Sequence, residues 1–379
     1  MKKLAIIGST GSVGTQAAEL AAAKGYSVPA LACGSDIIKA EEQIRLLKPS
    51  FFGMMDIENA KELSRRVSDT GCIVEGGEQA VLKAASFEDC DIVLNAVTGI
   101  AGLASTMAAI DSCKVLALAN KESLVCAGKI VMGRAKKNNV SILPVDSEHS
   151  AIFQCMQAGK TEEIDKLILT ASGGPFFGWN KKMLLGVKSR DALRHPTWSM
   201  GKKITVDSAS MMNKGFEVIE ASWLFNMPAD KIDVVVHRES IVHSMVKYID
   251  GSLIAQLGNH DMRLPIQYAL SYPERTRYPF ETLDVFKLGS LSFYPPDRET
   301  FPCLSLCEQA AVQGGNTGAV INGANEVAVA AFLKDQIGFL DIYEIVVRAL
   351  DRVSFIANPC LEEIYASDKM AREAALSAL

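Results

Sequence analysis

The chain has 379 residues, 49% of them apolar, with a formal net charge of −5. That length exceeds one ordinary core and implies two or three domains. The acidic balance argues against nucleic acid or an anionic membrane as partner, and no apolar run approaches the ~20 residues of a membrane span. The start, MKKLAIIG, has two lysines and a short apolar run, but a glycine-rich loop follows at once without a small-residue cleavage site. A mature cytoplasmic N-terminus is therefore expected. The nine cysteines include no C-x-x-C, and Cys303 and Cys307 stand four apart on a predicted helix. Reduced, buried thiols are expected rather than disulfides or a structural zinc site.

From residue 1 to 149, apolar runs (LAIIG, SVPALA, SFFGMM, DIVLNAV, KVLALAN, VSILPV) alternate with helical stretches. That alternation predicts an N-terminal Rossmann-type parallel sheet with right-handed crossovers. From 150 to 277 the runs KLILTASGG, KITVDSAS, KIDVVVH, SIVHSMVKYID and SLIAQLG read as strands, with a hairpin signal at Asp250-Gly251. A smaller α+β domain with a partly antiparallel sheet is expected there. Residues 278–300, rich in proline and aromatics, read as a linker, and 301–379 as a C-terminal helical bundle. The fold class is α/β.

The loop IIGSTGSVGTQ places Gly8, Gly11 and Gly14 between a strand and a helix. Glycines there permit a tight turn and close backbone approach to a pyrophosphate, which the helix N-terminus favours. The spacing is G-x-x-G-x-x-G, not the standard dinucleotide fingerprint. At the next strand end Asp36 is either a partner for a ribose 2′-hydroxyl, as in NAD sites, or a helix N-cap, with Lys39 the one nearby base. Asn120, Lys121 and Glu122 stand at a strand's carboxyl end, where open α/β sheets bind ligands.

VDSEHSA puts Asp146 and Glu148 two residues apart behind an apolar run, on one face if the strand continues. An acid/base pair, a hard-cation site and an exposed loop are all open readings. In MMNKGFEVIEASW, Met212, Phe216, Ile219 and Trp223 form an apolar stripe beside Asn213, Glu217 and Glu220, with Lys214 alongside. Glu217 is the candidate third oxygen ligand. Ser208 and Ser210 are expected at that helix's N-terminus, as an anion site. Ser172-Gly173-Gly174 reads as an anion-binding turn, and the segment through His195, Trp198 and Met200 to Lys203 as a lid. Taken alone, His195 is more safely read as a structural histidine.

GSTGSVG, LANKESLV, PVDSEHSAIFQ, TASGGPF, HPTWSMGKKITVDSASMMNKGFEVIEA, IVHSMV, DMRLPIQYAL and NGANEVAVAAFL occur in that order. With them the chain resembles the 1-deoxy-D-xylulose 5-phosphate reductoisomerase family over nearly its whole length. The resemblance implies NADPH-dependent reduction coupled to isomerisation of a phosphosugar, with one Mg²⁺ or Mn²⁺, in a cytoplasmic homodimer joined through the middle domain. It implies Asp146, Glu148 and Glu217 as metal ligands, and Lys121 and Ser147 as contacts to substrate hydroxyls. It places Ser172, His195, Ser208, Asn213 and Lys214 at the substrate phosphate, and Trp198 on the lid. Lys121, Glu148 and His195 are the implied catalytic residues. Thr10, Gly11, Ser12, Val13, Gly34, Ser35, Asn120, Glu122, Met200 and Gly201 are the implied cofactor contacts, with Met262 near the nicotinamide.

Two departures from the family pattern stand out. Ser35-Asp36 replaces a basic residue followed by Asn, and His237-Arg238-Glu239 replaces His-Pro-Gln, the latter read as peripheral to catalysis. Two other classes compete: a metal-independent dehydrogenase, which in its semialdehyde form needs a nucleophilic cysteine at a helix start, and a non-catalytic nucleotide sensor, which leaves the polar helix at 208–220 without purpose.

Overall fold

The structure, a computed structural model, describes residues 2–198 and 200–379, so Met1 and Ser199 of the lid motif lie outside it. The chain divides into two compact units. Unit 1 comprises 2–123, Val131–Ser150 and Asp261–Thr282; unit 2 comprises Leu124–Ile130, Ala151–His260 and Leu283–Leu379.

Unit 1 is built on seven strands: β1 Lys3–Ile7, β2 Ser27–Cys33, β3 Phe51–Met54, β4 Ile73–Gly76, β5 Ile92–Asn95, β6 Val115–Leu118 and β7 Ile142–Pro144. Their order is β4-β3-β2-β1-β5-β6-β7, and every pairing is parallel. The interior strands are buried along nearly their whole length, as a sheet covered on both faces requires. Of the seven, β4 carries no strong sequence signal. It is a four-residue edge strand, partly exposed, with a glycine at its end. The strand order reverses between β1 and β5, which puts the ligand crevice outside their carboxyl ends.

Residues 261–277, assigned on sequence to the middle domain, belong to unit 1, as do 278–282 of the expected linker. The helix Arg263–Ser271 packs on the helix Ser12–Lys24. Around it Lys2 Nζ donates to the Tyr272 carbonyl at 2.8 Å, and Lys24 Nζ to Thr276 Oγ1 at 2.7 Å. The apolar face of that helix needs cover, and the first crossover helix supplies it.

Unit 2 carries a mixed sheet of β8 Ile164–Ala171, β9 Ile232–Val236, β10 Val242–Tyr248 and β11 Leu253–Leu257, in the order β11-β10-β8-β9. β10 runs antiparallel to β8 and β11, and β8 runs parallel to β9. The β10–β11 hairpin turns at Asp250-Gly251, with Gly251 at φ 87°. KITVDSAS, expected as a strand, is instead the helix Lys202–Ala209. Thr205, Val206 and Ala209 bury at helical spacing, and Thr205 Oγ1 donates back to the Gly201 carbonyl at 2.8 Å. Core burial outweighs the strand propensity of its branched residues.

The C-terminal helices, expected as a bundle of their own, share one apolar core with this sheet. Leu167 and Leu169 of β8, Phe216 and Ile219 of the helix Met212–Leu224, and Phe332 and Val346 of the C-terminal helices lie in the same buried cluster. Residues 278–300 carry little regular structure beyond a short turn at Val285–Lys287 and a bridge pairing Val236 with Tyr294.

Candidate active site

In unit 1 the glycine-rich loop follows β1 at the point where strand order reverses. Gly8 has φ +81°, and a Cβ there would sit 2.7 Å from the Ala96 carbonyl carbon. A Cβ on Gly14 would sit 2.1 Å from the Gly8 carbonyl oxygen. The loop therefore closes only without side chains at these positions. Gly11 caps the helix Ser12–Lys24 without a side-chain hydrogen bond, so Thr10, Gly11, Ser12 and Val13 sit at a helix N-terminus whose N–H groups suit a diphosphate. Gln43 Nε2 braces the loop by donating to the Ser9 carbonyl at 2.7 Å. These features fit a dinucleotide.

Gly34 and Ser35 are exposed beyond β2, where Asn59 Nδ2 donates to the Ser35 carbonyl at 2.9 Å. Asp36 proves to be a helix N-cap: its Oδ1 accepts from the Lys39 N–H at 3.1 Å. Lys39 Nζ reaches toward the Thr10 carbonyl at 3.4 Å. The carboxylate is engaged by the helix, and the lysine leans over the loop.

Asn120, expected to contact the cofactor, is 2% exposed. Its Nδ2 donates to the carbonyls of Val97 at 2.7 Å and Gly99 at 2.9 Å, and to Glu122 Oε2 at 3.0 Å. Its Oδ1 accepts from the Ser123 N–H at 3.0 Å. The side chain clamps the loops after β5 and β6 together. Lys121, also buried, places Nζ 2.9 Å from Asp146 Oδ2.

Asp146 and Glu148 do not share a strand face. β7 ends at Pro144, and Ser147–Cys155 is a helix. Asp146 Oδ1 accepts from the Glu148 N–H at 3.2 Å, and the Asp146 carbonyl accepts from the Ser150 N–H at 2.8 Å. Asp146 thus stands at the helix head and Glu148 in its first turn, where the helix dipole favours carboxylates. Ser147 Oγ donates to Glu148 Oε2. The end of the strand is what brings Ser147 alongside its neighbours. His149 is fully buried, with Nδ1 3.9 Å from Asp146 Oδ1.

In unit 2, Ser172 follows β8, and the turn continues through Gly173 at φ +72° and Gly174 at φ +63°. A Cβ on Gly174 would sit 2.9 Å from the Ala209 Cα, so the turn lies against the end of the helix Lys202–Ala209. Ser208 occupies the last turn of that helix, and Ser210 caps its C-terminus. The expectation that they open a helix therefore fails, because KITVDSAS is itself helical and ends there. The helix Met212–Leu224 starts after Met211, at φ 63°.

His195 joins these pieces. Its Nδ1 accepts from the Trp198 N–H at 2.9 Å, which requires Nδ1 to carry no proton. Nε2 is then the protonated nitrogen, and it lies 2.9 Å from Ser172 Oγ and 3.4 Å from Ser208 Oγ. Burial, with Arg238 and His260 nearby, pushes the imidazole down to about 4. It is a neutral donor near pH 7. Ser172 Oγ also accepts from the Gly174 N–H at 3.2 Å, which leaves its own proton for a ligand.

Trp198 packs its ring 5.4 Å from His260 and 6.0 Å from His243. Met200 is half-buried and Gly201 is exposed just before the helix Lys202–Ala209. Asn213, Lys214 and Glu217 share a face of the next helix. Asn213 Nδ2 donates to Glu217 Oε1, and Lys214 Nζ pairs with Glu217 Oε2. Glu217 is 1% exposed and Lys214 4%. Buried carboxylates of this kind need compensating donors or a cation.

Sequence reasoning gave no role to Asn325 of NGANEVAV. Its Nδ2 donates to Asp207 Oδ1 at 2.8 Å, and Lys203 Nζ lies 3.2 Å from Asp207 Oδ2. The C-terminal helices thereby hold the helix that carries Ser208. Arg238 was set aside as peripheral, yet its guanidinium bonds the Ser172–Gly174 turn.

Comparison with known proteins bears on this geometry. Residues 4–128 match the model described as 1-deoxy-D-xylulose 5-phosphate reductoisomerase, and 142–225 and 257–374 match models of C-terminal domains of that enzyme. The chain is 49% identical over 372 residues to the 1-deoxy-D-xylulose 5-phosphate reductoisomerase of Agathobacter rectalis, covering 98% of each protein. It is 50% identical over 373 residues to that of Acetivibrio thermocellus, again covering 98% of each. The Zymomonas mobilis enzyme in complex with NADPH superposes with a TM-score of 0.93 at 39% identity, covering 100% of this chain and 99% of that one. A DOX-P reductoisomerase in complex with NADPH, fosmidomycin and magnesium superposes with a TM-score of 0.94 at 41% identity, covering 100% and 98%. The chain belongs to the 1-deoxy-D-xylulose 5-phosphate reductoisomerase family.

Proposed function

We propose that these residues carry out the family reaction: metal-dependent isomerisation and NADPH-dependent reduction of 1-deoxy-D-xylulose 5-phosphate to 2-C-methyl-D-erythritol 4-phosphate. The observation that carries this reading is similarity over the full length to that enzyme, including structures solved with NADPH and magnesium. The loop at Gly8–Gly14 accommodates the dinucleotide through backbone N–H groups. Lys39, leaning over the loop, is the candidate partner for a 2′-phosphate. Asp146, Glu148 and Glu217 are hard oxygen donors suited to Mg²⁺ or Mn²⁺. Ser172, His195, Ser208, Asn213 and Lys214 take the substrate phosphate, as neutral donors and one ammonium.

When bound, the nicotinamide supplies the hydride and the cation polarises the substrate oxygens. The protein's own residues do the rest. Lys121 and Ser147 orient the substrate hydroxyls beside Glu148. The phosphate donors hold one end of the substrate while its carbon skeleton rearranges by retroaldol cleavage and realdol closure, which keeps both fragments at high effective concentration. Trp198, on the lid, covers the substrate and excludes water. Met200, Gly201, Asn120 and Glu122 are assigned to the cofactor, Asn120 acting by fixing the loops after β5 and β6.

The test is NADPH oxidation with 1-deoxy-D-xylulose 5-phosphate and Mg²⁺ or Mn²⁺, repeated after chelation. Loss on chelation and recovery on readdition are expected, and oxidation that survives complete metal removal would sink the metal role.

The active form is a homodimer. β11 is an edge strand with Leu253, Ile254 and Leu257 between 37% and 49% exposed, an apolar edge suited to a second copy. A mass near 41 kDa by light scattering, where the chain itself is 40.9 kDa, would refute this. The place of action is the cytoplasm, a reading supported by nine cysteines without a disulfide. No helix among the described residues is long and apolar enough to cross a membrane.

A further inference from the structure

The turn 237–240, read from sequence as peripheral, is tied to several parts of the phosphate site within unit 2. Arg238 Nη1 donates to the carbonyls of both Ser172 and Gly174, the latter at 2.7 Å. Its guanidinium lies over the Phe177 ring, 5.0 Å from the centroid. Ser240 Oγ is 3.4 Å from Thr197 Oγ1, on the lid two residues past His195. The Glu239 carbonyl accepts from His260 Nε2 at 2.9 Å, and the His260 ring meets Trp198. The Glu239 carboxylate accepts from Ser292 Oγ at 2.7 Å.

These contacts have a directional consequence. The described chain's one cis peptide is Tyr272-Pro273, so the Ser172–Gly173 peptide is trans. In a planar trans peptide the C=O and the following N–H point opposite ways. With the Ser172 carbonyl held on Arg238, the Gly173 N–H is turned to the far side of the turn. Two consecutive glycines in left-handed backbone have little intrinsic preference to stay there. The Gly174 N–H bond to Ser172 Oγ restrains them from within the turn, and the single nitrogen bonded to both carbonyls restrains them from outside it. The same guanidinium adds positive charge beside Ser172 and, second to burial, disfavours a proton on His195.

We propose that Arg238 is a positioning residue of the substrate-phosphate site, fixing the Ser172–Gly174 turn and placing a standing positive charge behind it. This rests on the reading of Ser172, His195 and Ser208 as that site. Arg238 touches neither substrate nor cofactor in this assignment and acts through the turn.

The experiment compares Arg238→Gln, Arg238→Lys and Ser172→Ala in the full chain with Mg²⁺ and NADPH. It measures KM for the substrate, kcat, KM for NADPH, and inhibition by inorganic phosphate. Losing a charge-assisted bond to both carbonyls should raise substrate KM and the phosphate inhibition constant of Arg238→Gln together, by about tenfold or more. kcat and KM for NADPH should stay within about threefold, which a general loss of structure would not spare. Arg238→Lys keeps a donor and the charge and should recover at least half of the loss on a logarithmic scale. If Ser172→Ala raises both constants and Arg238→Gln leaves them within about twofold of wild type, the proposal is overturned and the phosphate reading stands. If Ser172→Ala changes neither, the phosphate reading falls and takes the proposal with it. A proportional fall of kcat, NADPH affinity and melting temperature in Arg238→Gln, without a selective phosphate effect, would also overturn it.

Discussion

The glycine-rich loop of unit 1 and the Ser172-Gly173-Gly174 turn of unit 2 both follow a strand, yet they are stabilised in opposite ways. In unit 1 the loop is fixed by absence: Gly8 and Gly14 sit so close to backbone that any Cβ collides. In unit 2 the turn is fixed by presence: Arg238 bonds two of its carbonyls, and His195 bonds its hydroxyl. The first arrangement tolerates side-chain loss but not gain. The second tolerates neither the loss of a partner nor of a charge.

The largest effect should come from the buried carboxylate in unit 2. Glu217→Gln keeps the shape and the donors around it but removes a charge, so the cation concentration for half-maximal activity should rise by on the order of a hundredfold with the fold intact. An unchanged metal titration would reject it as a ligand. Next, Gly14→Ala should weaken NADPH binding by tens of fold, read by nucleotide fluorescence, because the loop must open to admit a methyl group. Thr10→Ala and Ser12→Ala should change it by no more than about twofold; a larger loss there would break the contrast between the two regions.

Ser172→Ala should raise substrate KM by about tenfold, since it removes the hydroxyl between His195 and the Gly174 N–H. For His195 the sign follows from a folded value of about 4 against an ordinary value of 6.5. Between these values the unfolded chain takes up a proton that the folded ring refuses, so this group's contribution to stability is lost as pH falls from 6.5 toward 4. Ring NMR at pH 6 should show the neutral tautomer protonated on Nε2; an imidazolium there would break the assignment. The smallest effect belongs to Asp36→Asn, which preserves an N-cap. NADPH should remain preferred over NADH in kcat/KM, with stability altered by only a few tenths of a kcal/mol.

The parallel sheet was legible because its signals are local. Six of its seven strands are apolar runs bounded by turn residues, and the dinucleotide loop is one glycine pattern within seven residues. Unit 2 was less so, for two reasons. KITVDSAS has the composition of a strand and is held helical by burial of Val206 and Ala209 in a core assembled from distant helices. Arg238 acts on a residue 66 positions away, a distance across which no periodicity reports. The shared strand face expected for Asp146 and Glu148 was wrong. A helix begins where the strand was extended, because Asp146 caps it. The three-metal-ligand set itself came from family resemblance, since spacing alone left an acid/base pair open.

The helix Arg263–Ser271 completes a sheet whose strands all lie before residue 145. On the ribosome, therefore, the nucleotide-binding unit emerges with its seven strands made but one of its covering helices not yet synthesised. Lys2 and Lys24 wait for partners at 272 and 276 while more than half of unit 2 is being translated. A pause or truncation between 150 and 260 leaves an apolar helix face uncovered, where holdase chaperones bind. The order of the chain thus delays completion of the first-begun unit until more than half of the other has been made.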